Sequence, residues 1–142
     1  MPQAKANAVW NGDLESGRGH FSAGNGIDAD YSFKTRFEDA PGANPEQLLG
    51  AAHAACFSMA LSNMLAKAGT PPESVETEAT VTLRPVDSKP TITSIHLVTR
   101  GNVPGIEAQE FVRLANEAKN GCPVSRALAG VTEITLDASL RQ

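Results

Sequence analysis

Polar and apolar positions alternate through several segments of the chain and follow a helical period in others. Residues 74–84 place Val75, Thr77, Ala79, Val81 and Leu83 against Glu76, Glu78, Thr80, Thr82 and Arg84, which predicts a half-exposed strand of antiparallel type. Residues 90–100 (PTITSIHLVTR) are its predicted hairpin partner, through a turn at residues 86–90. Near the start, ANAVW and GHFSA read as short strands separated by the turn-rich NGDLESGRG and ended by glycines. Residues 30–38 (DYSFKTRFE) alternate as well, with Tyr31, Phe33, Thr35 and Phe37 on one face. Their spacing predicts a strand that carries Arg36 on its polar face.

Asn44-Pro45-Glu46-Gln47 has the form of a helix start, with Asn44 as N-cap, Pro45 in the first helical position and Gln47 closing a variant capping box. Gly69, followed by Pro71 and Pro72, supplies the stop. The intervening LLGAAHAACFSMALSNMLAKA is apolar or small on almost every side, which predicts a helix buried all round. Gly50, Ala51, Ala52, Ala54, Ala55 and Ala60 allow close backbone approach, so a central helix surrounded by sheet, with room for a partner chain, is expected. Residues 105–120 form a second, amphipathic helix with Phe111, Leu114, Ala115 and Ala118 on one face, ended by Gly121. A short helix restarts at Cys122-Pro123 and closes at Gly130, and VTEITLDASL is a final strand. Strands grouped before and after a long helix, without regular strand–helix–strand alternation, predict an α+β fold.

The 142 residues suit one domain spanning 1–142. A chain of this mass buries about two-thirds of its surface, enough for a core without disulfide or metal staples. Twelve basic against sixteen acidic side chains give a net charge of −4, without the clustered Lys and Arg that a nucleic-acid partner requires. The opening MPQAKANAVW lacks a secretory pattern, and no run is expected to reach the ~20 apolar residues of a membrane span. A cytoplasmic location follows as the expectation. Thiols stay reduced there, so the two cysteines are a redox or catalytic pair, or inert packing.

Cys56 lies mid-helix in an apolar stretch, where a cysteine is ordinarily a small inert hydrophobe. Cys122, between Gly121 and Pro123, is a candidate N-cap, where backbone N–H groups stabilise a thiolate. Position alone favours Cys122 as the better nucleophile. No CxxC or GxSxG motif is present, and three histidines with two cysteines are poor material for a zinc site. His53, one helical turn before Cys56, reads as a satisfied core group or as a residue lining the surroundings of that cysteine.

The stretch TRFEDAPGANPEQLLGAAHAACFSMALSNMLAKAG, together with KNGCPVSRAL and the opening VWNGDLESGRGHFS, resembles the OsmC/Ohr family of osmotically inducible and organic hydroperoxide resistance proteins. Ala-His ahead of the cysteine segment points to the OsmC branch. The resemblance implies antiparallel sheets wrapped around long central helices in an intertwined homodimer. It also implies a thiol peroxidase of oxidative and osmotic stress defence that reduces organic (alkyl, fatty-acid) hydroperoxides without metal, haem or flavin. Carried over by position, Cys56 matches the peroxidatic cysteine, Cys122 the resolving cysteine, Arg36 the activating arginine and Glu46 its carboxylate partner.

The implied cycle runs through a Cys56 sulfenic acid and a Cys56–Cys122 disulfide, reduced by an external dithiol of lipoyl type. Phe57, Met59, Leu48 and Leu49 are candidates for apolar walls, or simply core. One constraint accompanies the assignment. On a straight helix Glu46 and Cys56 are about 15 Å apart. Either Arg36 spans that gap, the helix breaks near Gly50, or Arg36 and Glu46 come from a partner subunit. Two other readings stay open: a non-catalytic lipid- or isoprenoid-binding protein, and a redox sensor.

Overall fold

The computed structural model describes residues 3–141, which divide into two compact units, one up to Gln47 and one from Leu48 onward. In the first, β1 (Ala6–Asn11), β2 (Arg18–Ala23) and β3 (Ile27–Tyr31) form an antiparallel meander in that order. Gly19 of the central strand pairs with Trp10 on one side and Tyr31 on the other. Those two rings close over it, with centroids 5.4 Å apart, and leave no room for a Cβ.

On the same sheet His20 meets Asp28 through Nε2 at 2.5 Å and Asp30 through Nδ1 at 2.7 Å. The hydrogen bond to Asp30 raises the His20 pKa above 6.5, and the Asp28 charge adds to the rise. Because the folded value lies above the unfolded one, this stabilisation is complete below the unfolded pKa and disappears as pH rises through the folded one. NMR titration of the imidazole should give a midpoint above 6.5 that falls back toward 6.5 in Asp30→Asn.

The strand expected over residues 30–38 is corrected. β3 ends at Tyr31, and Phe33–Phe37 is a helical turn, α1. Ser32 caps it: its Oγ accepts from the Thr35 N–H, and Thr35 Oγ1 accepts from the Ser32 N–H. Phe33 and Phe37, four apart, share a face in either periodicity, and here their centroids lie 5.0 Å apart. The reciprocal cap selects the helix.

The long helix α2 (Pro45–Lys67) begins and ends as its sequence predicts. Asn44 Oδ1 accepts from the Gln47 N–H and Gln47 Oε1 from the Asn44 N–H. At the far end Gly69, at φ +92°, donates to the Ala66 carbonyl while Thr70 donates to Leu65, a Schellman stop. The helix is continuous through Gly50, which removes the broken-helix route between Glu46 and Cys56.

In the second unit β4 (Ser74–Val86) and β5 (Lys89–Asn102) form the expected antiparallel hairpin. Its turn residues, Asp87 and Ser88, both take positive φ, as a two-residue hairpin turn requires. β6 (Glu133–Leu140) then pairs parallel with β5, so the all-antiparallel expectation is corrected for this sheet. The chain returns through α3 (Ala108–Gly121) and α4 (Pro123–Ala127), and that crossover makes the strands co-directional. Phe111, Leu114, Ala115 and Ala118 are buried on α3, as its periodicity predicts. They join Phe57, Leu61 and Leu65 of α2 and Ile95 and Leu97 of β5 in one core. Ser58, Thr77 and Thr99 link α2 to that sheet through hydroxyl contacts of 2.7 and 3.0 Å.

Two expectations about α2 are also corrected. It is not buried all round within the chain: Ala51, Ala52 and Ala55 are exposed and Met59 is 75% exposed. By length and composition it is also apolar enough to cross a membrane, with 28% of its most apolar window buried. The scattered Ser, Asn, His and Gln residues obscure that run when apolar residues are counted singly.

Candidate active site

The first unit brings Arg36 and Glu46 together. Arg36 lies on α1 and Glu46 in the first turn of α2, and the guanidinium Nε donates to Glu46 Oε1 at 2.9 Å. The carboxylate side chain is only 8% exposed, the arginine 37%. Glu46 Oε2 is buried and accepts nothing from the described residues, so Arg36 is the cation that compensates this carboxylate. The pair is made through Nε, and among the described residues neither Nη group has a partner, so both can meet another acceptor. Arg36 also lies over the Phe37 ring at 5.2 Å and lines an apolar cavity of about 180 Å³ with Trp10, Leu14, Tyr31 and Phe33.

The second unit brings the two cysteines together. Cys56 is partly buried on α2, and Cys122 is fully buried where α3 ends and α4 begins. Both carry free thiols. Burial pushes the Cys56 thiol pKa up; the Val124 backbone N–H opposes the rise, and the neighbouring Cys122 side chain adds to it. Within this unit that N–H is the influence that favours the Cys56 thiolate, so a reactive thiolate at neutral pH needs further positive potential.

Cys122 is the N-cap the sequence predicts: its Sγ accepts from the Ser125 N–H at 3.3 Å, with Pro123 in the first turn. Two residues join it that were not assigned this role from the sequence. The Cys122 thiol donates to Ser125 Oγ at 3.2 Å, and that hydroxyl meets His53 Nε2 at 2.6 Å. His53 is fully buried, as a core group should be, but among the described residues only one ring nitrogen has a partner. The Cys-x-x-Ser spacing of an N-cap and its third helical residue was a local signal for Ser125; its link to His53, far away in the chain, had none. Of the proposed apolar walls, Phe57 is core and Met59 faces outward.

The family model for OsmC-like proteins matches residues 37–137. The chain belongs to the OsmC family. Among relatives of this OsmC-family chain, Peroxiredoxin OsmC of Escherichia coli strain K12 is 50% identical over 139 residues, covering 96% of both chains. Organic hydroperoxide resistance protein OhrA of Bacillus subtilis strain 168 is 35% identical over 97 residues, 66% of this chain and 65% of that one. The crystal structure of the Bacillus subtilis organic hydroperoxide resistance protein OhrB covers 96% of the chain, with a TM-score of 0.71 and 26% identity. The α+β fold is thus that of the OsmC and Ohr proteins.

Proposed function

We propose that this OsmC-family chain is a thiol-dependent peroxidase that reduces organic hydroperoxides to alcohols in stress defence. The observation that carries the reading is the pairing of Cys56 with Cys122 inside one packed unit, in a chain half identical to a peroxiredoxin. In the proposed cycle the Cys56 thiolate attacks the distal peroxide oxygen. An S–O bond forms, the O–O bond breaks, and the alkoxide takes up a proton and leaves as alcohol. The sulfenic acid condenses with Cys122 to a disulfide and water. An external dithiol of lipoyl type restores both thiols, and no metal, haem or flavin takes part.

Arg36 is the proposed source of the positive potential that Cys56 requires, with Glu46 as its positioning residue. A guanidinium keeps its charge in an apolar setting and presents a fork to thiolate and peroxide oxygen together. The apolar lining around Arg36 supports alkyl or fatty-acid hydroperoxides over hydrogen peroxide. We also propose a cytoplasmic homodimer, with the exposed Ala51, Ala52, Ala55 and Met59 face of α2 covered by a second chain. Residues 1–142 then act as one functional domain.

The test is turnover with cumene hydroperoxide and excess dihydrolipoamide, beside hydrogen peroxide. Many turnovers are expected, with the organic substrate consumed at least about tenfold faster, since the apolar lining contributes binding that hydrogen peroxide lacks. A protein that oxidises once and stops is a sensor. One that binds lipid and leaves the hydroperoxide intact is a carrier.

A further inference from the structure

We propose that Ser125 and His53 form a proton relay that takes the thiol proton of Cys122 as this cysteine attacks the Cys56 sulfenic acid. The inference rests on the resolving role proposed for Cys122 and adds two residues to that step.

The geometry is a buried chain of three polar groups. Cys122 Sγ to Ser125 Oγ is 3.2 Å, and Ser125 Oγ to His53 Nε2 is 2.6 Å. His53 lies on α2, Ser125 on α4 and Cys122 at the cap before α4, so tertiary packing assembles it. His53 Nδ1 has no partner among the described residues, which makes Ser125 the one polar group through which the ring exchanges a proton. Burial holds the His53 pKa below 6.5, and no charged side chain contributes to that shift. The ring is therefore a free base at neutral pH and available to accept. The Ser125 N–H also donates to Cys122 Sγ, and this bond remains to stabilise the thiolate once the proton has gone.

The step balances. Cys122 S–H passes its proton to Ser125 Oγ while the Ser125 hydroxyl proton moves to His53 Nε2. The thiolate electron pair forms the S–S bond, and the S–O bond of the sulfenic acid breaks with its pair on oxygen. One sulfur is oxidised as the other is reduced. Hydroxide leaves as water after taking up one proton, and His53 returns the proton it held, so the condensation consumes none overall. Ser125 touches the reacting sulfur and is a catalytic residue. His53 acts through it and is a positioning residue.

Single-turnover kinetics test the relay in the full-length protein with both cysteines present. The reduced protein is mixed with one equivalent of cumene hydroperoxide. Intact mass then follows Cys56 sulfenic acid, trapped with dimedone, and the Cys56–Cys122 disulfide. Ser125→Ala is expected to form sulfenic acid at the parent rate but to close the disulfide roughly a hundred- to ten-thousandfold more slowly, the range of a lost proton-transfer group.

His53→Gln keeps a hydrogen-bonding group near Ser125 without a base, and is expected to slow the same step alone. Ser125→Thr restores the hydroxyl and should recover most of what Ser125→Ala loses, which a purely steric role for Ser125 would not produce. Normal sulfenic acid formation with parent-rate disulfide closure in both Ser125→Ala and His53→Gln overturns the relay and leaves the peroxidase reading standing. Slowing of both steps alike in these variants also overturns it. If the parent itself forms no Cys56 sulfenic acid, the peroxidase reading falls and the relay falls with it.

Discussion

Cys56→Ser is expected to reduce dithiol-dependent consumption of cumene hydroperoxide by roughly 10³-fold or more, because the group removed is the nucleophile itself. A serine hydroxyl is almost the same shape, yet at neutral pH it is scarcely ionised and has no sulfenic oxidation state to enter. The site is only partly buried on a continuous helix, so the substitution should leave the fold intact. Thermal unfolding checks this: a midpoint within a few degrees of the parent, the shift expected for about 1 kcal/mol, assigns the lost rate to chemistry. Consumption at the parent rate would refute the assignment of Cys56 and the cycle built on it.

Cys122→Ser is expected to have the second largest effect and a different signature. The first turnover proceeds, because Cys56 remains. The sulfenic acid then has no resolving thiol, and repeated hydroperoxide drives it to the sulfinic acid, an addition of two oxygens in the intact mass. Steady-state turnover stops, with about two equivalents of hydroperoxide consumed per chain. Cys122 is fully buried, but its structural task is to cap α4 by accepting the Ser125 N–H, which serine does at least as well. Loss of turnover should therefore come without loss of the helix. Sustained turnover at the parent rate would remove Cys122 from the resolving role.

These two expectations reverse what position alone suggests. An N-cap thiol has the better local electrostatics, and the structure bears out that Cys122 is such a cap, yet it is buried and tied to Ser125. Cys56 has surroundings that disfavour its thiolate but keeps partial exposure. A helix N-terminus is visible in a sequence. Access to a substrate depends on which other elements cover the residue, and that is not visible there.

Local hydrogen-bonding chemistry was the most readable part of this chain. Asn44 with Gln47, Gly69 with its two prolines, and Cys122 with Pro123 each specify a helix boundary within a few residues, and each boundary occurs where it was expected. The helix start at Ser32 and Thr35 is of the same kind, but its pattern is ambiguous because Phe33 and Phe37 fit both a strand and a helix; α3 also starts at Ala108 rather than at 105, and α4 ends at Ala127 rather than at Gly130. The buried face of α3 followed from its period, since an amphipathic helix has one side to hide.

Strand direction lay outside local reading. β6 has the same alternating pattern whether it runs with β5 or against it, and only the path through α3 and α4 made the pair parallel. The exposed face of α2 was also hidden, because a helix apolar on every side does not record which side its own chain covers.

The sequence by itself therefore determined both ends of α2, the cap at Cys122, the faces of the regular strands and of α3, the two cysteines and, through its motifs, membership of the OsmC family. Tertiary structure alone decided that His53 reaches Ser125, and it brought together the pairs Cys56 with Cys122 and Arg36 with Glu46 that only the family resemblance implied. The division has a physical cause. Caps and periodicities are made by neighbours a few residues apart, whereas these pairings depend on how separately formed helices and strands pack.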